Sequence, residues 1–133
     1  MDNVIIIGAG RLGRSIARSL NNKADVTIID KNKDKLAKFE DYSGFTEVGD
    51  ATDLHLLEKS GIEKADQVII MTDDDNINVF LADLCSYKYH VPKIYTRLKD
   101  SRNKKLVSDK VVCICPFELT LDYFEENNEG DKA

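Results

Sequence analysis

Val4-Ile5-Ile6-Ile7 places four apolar residues in a row and then stops at Gly8, the pattern of a strand buried on both faces of a parallel sheet. From Arg11 to Leu20 the spacing changes: Leu12, Ile16, Ala17 and Leu20 recur at helical intervals, which predicts one amphipathic helix. The same alternation continues down the chain. It predicts strands at Asp25–Asp30, Phe45–Val48, Asp66–Met71, Lys93–Arg97 and Lys110–Cys115. Between them it predicts helices at Lys33–Tyr42, Asp53–Lys59, Asp74–Tyr87 and Ser101–Ser108. Gly61 stops the helix at Asp53–Lys59, and Pro92 precedes the fifth strand. A last helix follows Pro116 with Phe117, Leu119, Leu121, Tyr123 and Phe124, and the acidic tail Glu125–Ala133 is expected to fray.

Six strands alternating with helices predict an α/β, Rossmann-type doubly wound fold. Its six-stranded parallel sheet runs in the order 3-2-1-4-5-6, with helices on both faces and right-handed crossovers. The length of 133 residues suits one such domain and leaves no room for a separate substrate domain. Residues 1–115 account for the nucleotide-binding unit, and 116–133 form a C-terminal helix and tail.

Charge narrows the partners. A net charge of −5 argues against nucleic acid, because phosphate backbones need clustered excess Lys and Arg. The basic groups at Lys31, Lys33, Lys35, Lys38 and at Lys99, Arg102, Lys104, Lys105 read as solvated faces. No secretory leader and no apolar run near the ~20 residues that span a bilayer are visible, so the expectation is a cytoplasmic chain without direct membrane insertion. Three cysteines make a poor disulfide framework, and Cys85, Cys113 and Cys115 read as structural thiols. No metal site is expected.

The chemistry concentrates at Gly8-Ala9-Gly10-Arg11-Leu12-Gly13, a G-x-G-x-x-G that follows a predicted strand and opens a predicted helix. Gly8 permits the tight turn, Gly10 lets the backbone approach a pyrophosphate, and Gly13 lets the helix pack close to the sheet. The helix N-terminus offers N–H groups and partial positive charge to phosphate, and Arg11 adds a permanent cation. Asp30 ends the second strand, 17 positions past Gly13, where a carboxylate accepts both ribose hydroxyls and repels a 2′-phosphate. Lys31 adjoins it. A second group, Asp50-Ala51-Thr52 and Thr72-Asp73-Asp74-Asp75, falls after strands three and four. In a doubly wound sheet these strand ends border the ligand crevice. Thr52 and Asp73 or Asp74 are also natural helix caps.

The glycine loop, Asp30, Gly49-Asp50-Ala51-Thr52, Gly61-Ile62, Ala65-Asp66, Thr72-x-x-Asp75-x-x-Asn78 and Arg97 together resemble the TrkA-N lobe. That lobe is the nucleotide-binding half of the RCK domains that regulate potassium conductance. The resemblance covers roughly residues 1–115. It implies a regulatory subunit that senses NAD(H) or ATP/ADP. It further implies a membrane potassium channel or transporter as partner, held at the inner face of the membrane, and homodimers or larger rings. It implies that Arg11 and the loop approach phosphates, Asp30 the ribose and Asp50-Ala51 the adenine. Thr72 to Asp75 would line the far end, and Arg97 would lie near the phosphates or a neighbouring subunit. Asn76 departs from the family's usual glutamate. The resemblance also implies that the helix at Pro116 begins a crossover to a C-terminal lobe that these 133 residues do not include.

The rival readings are a small NAD-dependent oxidoreductase and a nucleotide-binding interaction module of another transporter. Tyr89 and Lys93 have the Tyr-x-x-x-Lys spacing of short-chain dehydrogenases, but Pro92 interrupts the segment and denies the pair a shared helical face. His55 and His90 have no partnered carboxylate at a recognisable spacing. The expectation is therefore a sensor, not an enzyme.

Overall fold

The computed structural model of the chain describes residues 1–39 and 43–128. Its sheet has six parallel strands: β1 Asn3–Ile7, β2 Asp25–Asp30, β3 Phe45–Val48, β4 Gln67–Ile70, β5 Lys93–Arg97 and β6 Val111–Ile114. The order is β3-β2-β1-β4-β5-β6, as the alternation predicts. β1 is central because it is apolar on both sides. Ile5 and Ile7 join one core with Val68, Leu57 and Leu81, while Val4 and Ile6 join the other with Val26, Ala17 and Leu36. Side chains of period two thus bury opposite faces under two helical layers.

The helices are α1 Arg11–Ser19, α2 Lys33–Ala37, α3 Leu54–Lys59, α4 Asp75–Asp83 and α5 Pro116–Asn128. Three of the predicted helices are altered. The second ends at Ala37, yet Phe39 stays buried under the Arg18 guanidinium, 5.1 Å from its ring centre; its predicted end at Tyr42 lies outside the described residues. The fourth gives way after Asp83 to a π turn, Leu84–Lys88, in which the Tyr89 N–H donates to the Leu84 carbonyl. That wider turn keeps Cys85 in the core and sets the Tyr89 hydroxyl 3.1 Å from Glu58. The fifth is a 3₁₀ segment, Ser101–Leu106, with no buried residue to reward a longer helix. The tail is helical through Asn128, and the remainder of the predicted fray lies outside the described residues.

Cys85 and Cys115 are buried and Cys113 half-buried, and burial pushes the Cys85 thiol up to about 12. No group of three or more metal-ligating side chains occurs among the described residues. No described helix is long and apolar enough to cross a membrane.

Candidate functional site

Five parallel crossovers leave the carboxyl ends of β1, β2, β3 and β4 open on one edge, where strand order reverses about β1. A cavity of about 420 Å³ occupies that edge. Its floor is apolar, from Ile7, Ile29 and Met71, and its polar groups come from the loops above.

The glycine loop divides its labour three ways. Gly8 has φ +106° and runs against β4: a Cβ there would lie 2.7 Å from the Met71 carbonyl oxygen. At Gly13 a Cβ would run into the Gly8 carbonyl oxygen, so this residue lets α1 fold back onto the loop. Gly10 is different. A Cβ there would meet nothing within 4 Å, and Gly10 lines the cavity. Its missing side chain serves the space above the loop and not the packing beneath it.

That space faces an uncapped helix. Asn32, Asp53 and Asp74 cap α2, α3 and α4 through their side chains, whereas α1 starts at Gly10 with no side-chain cap. The first bond of its ladder runs from Arg14 N–H to the Gly10 carbonyl, 2.9 Å. The N–H groups of Arg11, Leu12 and Gly13 precede that bond, outside the ladder, as at every helix start. A bare N-terminus beside an open glycine suits an anion.

Asp30 is built into the loop. Its Oδ2 accepts from the Ala9 N–H at 2.7 Å, and its Oδ1 accepts from the Asn32 N–H at 2.7 Å. The carboxylate therefore ties the glycine loop to β2, and each oxygen keeps further lone-pair capacity toward the cavity it lines. Ala9, wholly buried, contributes this backbone bond and does not line the cavity.

Lys31, Asp50 and Ala51 line the same side. The Thr52 hydroxyl, then the Thr52 N–H, holds the Asp50 carboxyl below the usual carboxylate range, and the Lys31 charge adds to this. Thr72, Asp73 and Asp74 line the opposite side together with Arg97. Asp74 caps α4 through the N–H groups of Asn76 and Ile77. Arg97 carries a buried Nε with no hydrogen-bond partner, a donor whose isolation costs about 1–3 kcal/mol unless something accepts from it. An anionic group in the cavity is the natural acceptor.

Five predicted site residues fall outside the cavity lining. Ala9 is buried beneath the loop, Arg11 and Leu12 are exposed on the first turn of α1, and Gly13 packs α1 close against the loop, the role its place in the motif predicts. Asp75 turns away from the cavity altogether. Its carboxylate accepts from the N–H groups of Lys99 (2.8 Å) and Asp100 (3.0 Å) and from the Asn103 amide (2.9 Å). Burial alone raises its pKa, but these three donors outweigh burial and hold it below the ordinary aspartate value. A carboxylate depressed in this way stabilises the fold fully above its unfolded value, and the contribution is lost as pH falls through the lower folded value. The bracket is therefore complete at neutral pH. Thr52 does not cap α3, because Asp53 does.

Sequence reasoning missed Lys35, Gly49 and Ile77, which also line the cavity. In sequence Lys35 reads as one of a solvated basic run, and no local signal separates it from Lys33 and Lys38. The Tyr89 and Lys93 pair takes no part: Tyr89 bonds Glu58, and Lys93 lies over the Tyr95 ring.

The family model for the TrkA-N domain matches residues 4–113. The chain belongs to the TrkA-N domain family. Among relatives of this TrkA-N domain is the Trk system potassium uptake protein TrkA of Mycobacterium tuberculosis, 38% identical over 107 residues, covering 80% of this chain and 49% of the relative. The chain thus spans about half the length of the curated relatives it matches. Among solved structures, the RCK domain of GsuK superposes with a TM-score of 0.70 at 29% identity, covering 84% of this chain and 25% of that one. GsuK bound to ADP gives a TM-score of 0.70 at 28% identity, covering 84% and 30% of the two chains.

Proposed function

We propose that this TrkA-N domain is a cytoplasmic sensor that binds an adenine nucleotide in the cavity and thereby controls potassium transport by a membrane channel or transporter. The observation that carries the proposal is the union of three features in one cavity. These are an uncapped helix N-terminus above an open Gly10, a ribose-height carboxylate at Asp30, and an unsatisfied Arg97 Nε across the crevice. Potassium enters through kinship with a potassium uptake protein and with GsuK, whose structure with ADP makes ADP the first ligand to try. NAD(H) and ATP fit the same anchor points, since all share adenosine and its first phosphate.

A regulatory role is favoured over catalysis by what lines the cavity. Among the described lining residues there is no histidine, cysteine or tyrosine, and Asp30, Asp50 and Asp74 are already engaged with backbone N–H groups. Acid–base chemistry at a hydride acceptor would need a group free to move a proton, and of the described lining acids Asp73 alone is not held by such a bond.

The test is a thermal-shift series with AMP, ADP, ATP, NAD, NADH and NADP. A ligand at a hundred times its Kd raises the unfolding free energy by about 2.7 kcal/mol. Unphosphorylated-ribose nucleotides should stabilise the domain, with NADP at least tenfold weaker because Asp30 repels its 2′-phosphate (~1.4 kcal/mol per tenfold). NADP binding as well as NAD would remove Asp30 from the ribose position.

A further inference from the structure

Thr72 and Arg97 line the same side of the cavity, at the ends of the neighbouring strands β4 and β5, and one side chain joins them from behind. Asn78, on α4, is fully buried and, with Thr96, is one of two buried polar residues among those described. Its Nδ2 donates to the Arg97 carbonyl at 2.8 Å and to the Thr72 carbonyl at 3.1 Å. Its Oδ1 accepts from the Thr72 hydroxyl at 2.5 Å. Both amide hydrogens and the carbonyl are thereby used. The amide does not line the cavity; it pins together the two backbone segments that do.

We propose that Asn78 is a positioning residue that sets Arg97 and Thr72 at the spacing a nucleotide's phosphates require, an inference that rests on the nucleotide reading of the cavity. The physical reason is the placement of the unsatisfied donor. The Arg97 Nε is buried without a partner, and the backbone fixes the point from which this side chain enters the cavity lining. That backbone is fixed to α4 by the 2.8 Å bond to Asn78. Immediately after it, the Lys99 and Asp100 N–H groups are fixed to the same helix by Asp75. Asn78 and Asp75 lie one helical turn apart, so α4 holds the segment from Arg97 to Asp100 at two points. A buried, fully satisfied amide of this kind has one arrangement, which is what positioning requires.

A side chain that positions Arg97 must in turn be held by whatever binds Arg97, because coupling between the two is reciprocal. The first measurement therefore uses the unaltered protein. Saturating ADP should slow hydrogen exchange of the Asn78 side-chain amide, and an unchanged rate in the ADP-bound protein would overturn the proposal. The second is a double-mutant cycle read by ADP titration. Asn78→Ser should weaken ADP by about tenfold in the wild-type background and leave it unchanged in an Arg97→Ala background, the signature of coupled residues. Equal losses in both backgrounds would mean that Asn78 only loosens the fold, and would overturn it. If Asn78→Ser fails to fold, the exchange measurement decides alone. A wild-type protein that binds no ADP contradicts the nucleotide reading itself and is recognised before any variant is made.

Discussion

Gly13→Ala is expected to lower the unfolding free energy by about 3 kcal/mol, roughly 10 °C in Tm, with or without nucleotide. The added methyl would strike the Gly8 carbonyl oxygen, and neither backbone segment can yield. Gly8 is fixed on one side by its own N–H bond to the Ile29 carbonyl and lies against Met71 on the other. Gly10→Ala, three positions away in the same motif, should do the opposite. Its φ of −70° and ψ of −175° suit any residue, and its methyl would meet no protein atom within 4 Å. Stability should stay within about 0.5 kcal/mol of wild type. Nucleotide affinity should fall by about 2 kcal/mol, some thirtyfold in Kd, because the methyl stands where phosphate must approach the N–H groups. Thermal melts and ADP titrations of the two variants check both halves. A Gly10→Ala protein that binds ADP as tightly as wild type would place the phosphates elsewhere.

The second large effect is expected at Asp30. Removing its carboxylate takes two acceptors from the ribose and releases the Ala9 N–H, which is buried and has no other partner at hand. Asp30→Ala should therefore weaken ADP by about 3 kcal/mol, more than a hundredfold. It should also destabilise the free protein by about 1–2 kcal/mol through the orphaned donor. The double signature matters: loss of affinity alone would come from any ribose contact, whereas the accompanying loss of stability identifies the carboxylate that ties the glycine loop to β2. Calorimetry and a urea melt read the two effects separately. Unchanged affinity would remove Asp30 from the site.

The strands were legible because β1, β2 and β4 are apolar at every core position, and a strand buried on both faces has no other way to look. The glycine loop was legible because each glycine meets a distinct steric demand. What escaped was decided by contacts far apart in sequence. Asp75 stands in a run of three acids, and nothing local distinguishes the one that reaches residues 99, 100 and 103. Asn78 stood out in sequence only as part of the Thr72-x-x-Asp75-x-x-Asn78 motif, and its task is set by the Thr72 and Arg97 carbonyls that the sheet places beside it. Arg11 drew attention by its position in the motif, but it is exposed on the first turn of α1, and the cations that line the cavity are Lys31, Lys35 and Arg97. The π turn after Asp83 answers to the burial of Cys85, which periodicity alone does not encode.

The central claim, that this cavity binds an adenine nucleotide, is tested most directly by following backbone amide resonances of the 15.0 kDa protein during an ADP titration. The account predicts saturable shifts concentrated at Gly8–Gly13, at Asp30 and Lys31, at Asp50–Thr52 and at Thr72–Asp74, with the Arg97 Nε proton moving in step. Shifts that gather on another face, or none at millimolar ADP, would contradict it.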